Sequence, residues 1–277
     1  MPDSYSTLAL LVLSSLAAGV VNALAGGGTL LTFPSLFTAL RPMTGGATDL
    51  AAVLANGTST TALLPGSVAG AWGYRRELRT VGRWPWLLVL PSLIGGLLGT
   101  LLVTRLPPWY FAVAVPWLIL SATVLFALQP TLLKLSLRWR PAGPPDPHNR
   151  STAAYAGLIV GQFLIAVYGG YFGAGIGILM LSALGLMGVA DIHEMNAVKT
   201  VLAACINALS VVVFAVEGKV IWPIAAVMAA AAVVGGYFGA HFGRRLPRPL
   251  VRWTVIVIGF GLAAKYFWEQ FGPSAGA

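Results

Sequence analysis

Two short polar stretches interrupt an otherwise apolar chain: Asn56-Gly57-Thr58-Ser59 and Asn196-Ala197-Val198-Lys199-Thr200. Amides and hydroxyls donate hydrogen bonds to an oxyanion, and a Lys ammonium adds a fixed positive charge. The same groups could instead tie helices together, and that reading stays open. If the helix carrying Lys199 begins near Ile192, its ammonium lies about 10 Å along it. A cation at that depth is costly and marks function by default. The alternatives are snorkelling to the interface and pairing with Glu194 or Asp191. A second kind of feature is the glycine break. Gly26, Gly27 and Gly28 precede Thr29 and Thr32, and Gly173-Ala174-Gly175 precedes another apolar run. Each Gly costs about 1 kcal/mol relative to Ala in a helix interior, so such a run ends one helix. The helix that restarts after it offers free N–H groups and a positive dipole end to an anion. Close packing of helices through small residues is the competing explanation. Asn22, Gln162 and Asn207 are weaker polar candidates, and Tyr168 could line a pathway. His193 and His241 fall near helix ends, where a solvated imidazole is usual.

No HExxH, CxxC or Ser/His/Asp spacing is present, and the glycines of 173–177 miss the GxGxxG pattern. An enzyme, a bound cofactor and a metal site are therefore not expected. Asp and Glu total eight, and none falls in the middle of an apolar span. A cation pump or proton relay usually needs a buried carboxylate, whereas an anion path needs donors and positive ends. An inside-negative potential pushes an anion outward by about 2.3 kcal/mol per charge per 100 mV. Export of a monovalent anion then needs no coupled ion, and concentrative uptake does. Cys205, the single cysteine, reads as a small buried hydrophobe.

The elements that must position these groups follow from composition. Of 277 residues, 57% are hydrophobic and 9% charged, against roughly 25% charged in soluble domains. Mean hydropathy is +0.83. The chain reads as an all-α integral membrane protein, partnered by the lipid bilayer. A porin-like barrel would alternate apolar and polar residues, and no such pattern is seen. Ten apolar segments are expected, near 5–25, 29–40, 50–72, 84–104, 109–128, 151–172, 176–188, 193–216, 221–242 and 250–268. The first reads as a mature helix, with no Lys or Arg before it and no clear cleavage site. Segments 29–40 and 176–188 reach only about 18 Å, too short to span, and read as half-helices.

The two halves repeat one another. "AGGGTLLTFPSL" matches "FGAGIGILMLSAL", "ANGTST" matches "MNAVKT", "RWPW" matches "IWPI", "GGLLG" matches "GGYFG", and "RLP" recurs at 105–107 and 245–247. Residues 1–128 form a first membrane repeat, 129–150 a polar linker and 151–277 a second repeat. The net charge of +9 first serves to orient the chain, and nucleic acid is not an expected partner. Arg75, Arg76, Arg79 and Arg83 lie after the third segment; their counterparts at 217–220 include one Lys and one Glu. Arg105 stands alone after the fourth, but Arg244, Arg245, Arg248 and Arg252 follow its match. The basic side swaps between repeats, so the repeats have inverted topology, the linker is cytoplasmic and both termini are outside. Trp72, Trp84, Trp86, Trp109, Trp222, Trp253 and Trp268 suit the interfaces. "GGLLG", "GGYFG" and the pair Gly157/Gly161 read as packing glycines. Inverted repeats with matching short, glycine-interrupted segments point to a secondary transporter whose breaks meet near the midplane.

"GVVNALAGGGTLLTFPSL", "LANGTST", "GGYFGAGIGILML" and "MNAVKTVL" resemble the sulfite exporter TauE/SafE family of membrane permeases. The likeness covers nearly the whole chain. It implies a bacterial inner-membrane transporter of sulfur-containing anions, such as sulfite or the organosulfonate sulfoacetate. It also implies that the glycine breaks and the Asn motifs line the substrate site. The copies differ: Ala174 replaces the middle glycine, and Lys199 stands over Ser59, so an asymmetric site is expected. Taken together, a small anion is held by Asn22, Gly26, Gly27, Gly28, Thr29, Asn56, Thr58, Ser59, Gly173, Gly175, Asn196, Lys199 and Thr200, and is moved by alternating access. An anion channel, a permease for a different small anion or a metal cation, and a membrane enzyme or assembly factor are the rivals. A homo-oligomer is left open.

Overall fold

A computed structural model describes residues 5–24, 27–81, 84–139, 152–187, 189, 191–242 and 248–272. The described residues form ten α-helices and no strand. In chain order they are α1 (Tyr5–Leu24), α2 (Thr29–Leu40), α3 (Thr48–Gly73), α4 (Val89–Arg105), α5 (Pro108–Arg138), α6 (Thr152–Tyr171), α7 (Ile176–Leu186), α8 (Ile192–Val216), α9 (Trp222–Phe242) and α10 (Arg248–Phe271). Short 3-10 turns occupy Glu77–Arg79 and Trp84–Leu88. Five stretches are long and apolar enough to cross a bilayer: Tyr5–Ala23, Trp86–Arg105, Pro108–Arg138, Ile192–Val216 and Trp222–Gly239. Trp72, Trp86, Trp109, Trp222, Trp253 and Trp268 are exposed, as interfacial residues should be.

The closest helix pairs correspond when the two halves are exchanged, although α3 packs on α5 without a comparable α8–α10 contact. α1 lies along α9, and α6 lies along α4. Both pairs run parallel and both rest on glycine. A Cβ at Gly95 would meet Phe163 O at 2.5 Å, and one at Gly99 would collide with Val167 O. In the other pair, a Cβ at Gly235 would collide with Leu16 O, and one at Gly239 would meet Val20 Cα at 2.8 Å. "GGLLG" and "GGYFG" are therefore packing sites. α3 and α8, which carry the two Asn motifs, lie antiparallel: a Cβ at Gly57 would meet Phe214, and one at Gly70 would meet Thr200.

Contacts between loops sort the helix ends into two faces. Arg105 pairs with Glu217 at 2.7 Å, and Arg41 with Glu269 at 3.6 Å. On the other face Thr80 donates to Glu194 Oε1 at 2.9 Å, and Ser136 packs on Gly185. The turn after α3, with Arg75, Arg76 and Arg79, and the end of α5 thus share the second face.

α2 and α7, read as half-helices, fold back on the preceding helix: Ser14 and Ser35 hydroxyls meet at 2.8 Å, and Gly169 faces Ile176. Three features depart from the sequence reading. α5 runs through Arg138, ten residues into the segment read as linker. Its last turns carry Leu132, Leu133 and Leu135, and buried Ser136 fits against Gly185 of α7. Gly157 and Gly161 do not pack: a Cβ at either would meet nothing within 4 Å. Cys205 is a half-buried free thiol, less enclosed than expected.

Candidate functional site

The two glycine breaks meet. A Cβ at Gly27 would lie 3.6 Å from Gly175 N and would strike the Phe126 ring of α5. A Cβ at Gly173 would have only Gly169 O at 3.1 Å and Thr29 Oγ1 at 3.9 Å near it. Gly173 and Gly175 both have φ of +80°, which side-chain-bearing residues rarely adopt, so the second break depends on glycine. Phe172, just before Gly173, packs edge-on against Phe33 of α2 at 5.3 Å. α2 and α7 therefore begin at one junction, backed by α5. At the start of α7 the N–H groups of Ile176 and Gly177 have no backbone acceptor among the described residues. Gly26 lies outside those residues.

Polar side chains hold the junction together. Asn22 accepts from the Gly27 N–H at 3.4 Å and donates to Ser67 Oγ at 3.3 Å, which fixes the first break to α3. Thr32 and Ser59 share a buried hydrogen bond of 2.6 Å. Asn56, 1% exposed, donates through Nδ2 to Tyr171 O at 2.9 Å, the last carbonyl of α6. Its Oδ1 has no partner among the described residues. Thr29 is buried, and no hydrogen bond of its hydroxyl is found among the described residues. Thr58 points elsewhere. Its hydroxyl accepts from the Ile221 N–H at 3.1 Å and so satisfies one of the free N–H groups at the start of α9.

The Asn196–Lys199–Thr200 cluster sits at a different depth. Thr200 packs on Gly70 of α3. Gly70 is fourteen residues from Asn56 on the same helix, about 21 Å at ~1.5 Å per residue. The matched motifs thus lie toward opposite ends of α3. Their internal bonds are alike: Thr60 donates to Asn56 O at 2.9 Å, and Thr200 to Asn196 O at 2.7 Å. Lys199 is 4% exposed and donates to Asn196 Oδ1 at 3.0 Å. It pairs with no carboxylate among the described residues. Asp191 instead accepts from the His193 N–H at 2.6 Å, and Glu194 accepts from Thr80. Neither snorkelling nor the two pairings considered for Lys199 occurs.

Sequence reasoning did not single out Thr100 and Ser210. Thr100 Oγ1 lies 2.7 Å from Ser210 Oγ and 3.1 Å from Gly170 O, so it joins α4, α8 and the end of α6 beside the second break. One Thr in "LLGTLLV" carries no signal of its own. Gln162 donates to Ser92 at 2.8 Å and locks α6 to α4. Among the described residues no group of His, Cys, Asp and Glu could hold a metal ion.

Comparison with known proteins agrees with this architecture. The profile of the sulfite exporter TauE/SafE family matches residues 11–266. A probable membrane transporter protein of Haemophilus influenzae is 28% identical over 271 residues, covering 98% of each chain. The probable membrane transporter protein ORF9 of a Sinorhizobium species is 24% identical, covering 98% of this chain and 96% of its own. The probable membrane transporter protein YfcA of Escherichia coli K12 is 26% identical, covering 96% of this chain and 91% of its own. No solved structure matches. With its profile match across nearly the whole chain and its helices long enough to span a bilayer, this protein belongs to the sulfite exporter TauE/SafE family and is a multi-pass membrane transport protein.

Proposed function

We propose that the protein exports a small sulfur-containing anion, sulfite or an organosulfonate such as sulfoacetate, across the bacterial inner membrane by alternating access. The observation that carries this reading is the meeting of the two breaks, with Gly27 against Gly175 and Thr29 against Gly173. Backbone that leaves the helix inside a membrane protein must be enclosed by protein or line a cavity. Opposed helix starts are a recurring way to hold an anion there. The Thr29 hydroxyl and the N–H groups of Ile176 and Gly177 supply the donors, beside Asn56. Asn196, Lys199 and Thr200 form a second station toward the basic face. Two inverted repeats are supported by the corresponding closest helix pairs and by the antiparallel α3–α8 pair. Rocking one repeat against the other then opens the junction to each side in turn.

The test is flux from proteoliposomes loaded with sulfite or sulfoacetate. We expect efflux above protein-free liposomes, accelerated when the lumen is made negative, and slowed by Thr29→Val. No flux of either anion above the lipid background contradicts the substrate class. Unitary single-channel currents contradict alternating access.

A further inference from the structure

Asn56 Oδ1 is the feature that the transport reading leaves unexplained. The amide is buried at the junction: one Nδ2 hydrogen goes to Tyr171 O, and Oδ1 is an acceptor with no donor among the described residues. A buried acceptor without a donor is destabilising until something supplies one. The charge available at the junction is also limited. Each helix start carries about half an elementary positive charge, so α2 and α7 together supply about one. The Lys199 ammonium stands outside the junction, about 10 Å along α8 from Ile206, which flanks Ile176 at Gly169. A dianion such as sulfate or SO₃²⁻ would leave half its charge unmet and would offer Asn56 Oδ1 only further acceptors.

We infer that this site selects a monoanion that brings its own hydrogen-bond donor, of the class of hydrogensulfite and the hydroxyalkanesulfonates. The sulfonate or sulfite oxygens face Thr29 and the N–H groups of Ile176 and Gly177, and the donor faces Asn56 Oδ1. The inference rests on the proposed transport of sulfur anions, keeps hydrogensulfite and sets aside sulfoacetate, a dianion without a hydroxyl.

The test compares isethionate (2-hydroxyethanesulfonate), ethanesulfonate and sulfate as ligands of the purified wild-type protein, by calorimetric or thermal-shift titration. The first two differ by a single hydroxyl. Isethionate is expected to bind about tenfold tighter than ethanesulfonate, a difference of about 1.4 kcal/mol, and sulfate the weakest. In Asn56→Leu the isethionate advantage should fall to near one. The wild-type ratio stands by itself if that variant does not fold. Equal affinity for the two sulfonates, or tighter binding of sulfate, overturns the inference and leaves sulfur-anion transport standing. No binding by any of the three, with no sulfite flux in proteoliposomes, overturns both.

Discussion

Glycine does opposite work at two positions, and the contrast predicts opposite signs. At Gly99 a methyl group would collide with Val167 O and lie 2.7 Å from Tyr171 N, both backbone atoms of α6. Backbone cannot step aside as a side-chain tip can, so α4 and α6 must separate. Overpacking of this kind costs about 1–3 kcal/mol, less the roughly 1 kcal/mol that Ala gains over Gly in a helix. The pair α1–α9 repeats the contact at Gly235, so Gly235→Ala should behave like Gly99→Ala. At Gly157, on exposed α6 surface, an added methyl meets nothing within 4 Å, so Gly157→Ala should gain up to about 1 kcal/mol. The assay is thermal denaturation of the detergent-purified variants, followed by loss of the monodisperse peak. Gly99→Ala and Gly235→Ala should melt below wild type, and Gly157→Ala at or above it. If Gly99→Ala and Gly157→Ala move together, the close parallel packing of α4 on α6 is wrong.

Three further outcomes follow from the junction and its surroundings. Gly175→Ala must hold a side chain at φ +80°, at a cost of about 1–2 kcal/mol; it should lower the melting temperature and also depress flux, because the strain falls where α7 starts. Thr58→Val removes the acceptor for the Ile221 N–H and should destabilise by about 1–3 kcal/mol with KM for the anion unchanged, whereas Thr29→Val should leave stability near wild type and raise KM. Lys199→Met replaces a buried ammonium that has no carboxylate partner among the described residues with an apolar chain of similar length. It should melt at or above wild type while flux falls, and a large loss of stability would mean that Lys199 is structural.

Much of this was legible in the residues themselves. The ten segments lie within a few residues of their predicted limits, except at the end of α5, because Pro, Gly and Arg clusters mark where apolar runs stop. A repeat was read from "ANGTST" and "MNAVKT" keeping their order, and Thr60 and Thr200 make the same back-bond in those two turns. Depth was not legible. Placing Lys199 over Ser59 in sequence made them look like neighbours, yet equivalent positions on antiparallel helices lie far apart. The same step hid Asn56's actual partner, Tyr171 O, which belongs to the other half. Thr58 looked like a donor for an anion because sequence cannot show that a distant helix start needs its oxygen. The extension of α5 was missed because Lys134 and Arg138 read as linker, although Leu133 and Leu137 stand four residues apart, about one helical turn.

The central claim is that the anion sits where the two breaks meet. Selenite is a heavier oxyanion analogue of sulfite, and its selenium can be located by anomalous scattering in crystals soaked with it. A selenium peak is expected between Thr29 Oγ1 and the Ile176 and Gly177 N–H groups, beside Asn56. A peak only at Lys199 Nζ, about 10 Å along α8 from Ile206, would contradict it.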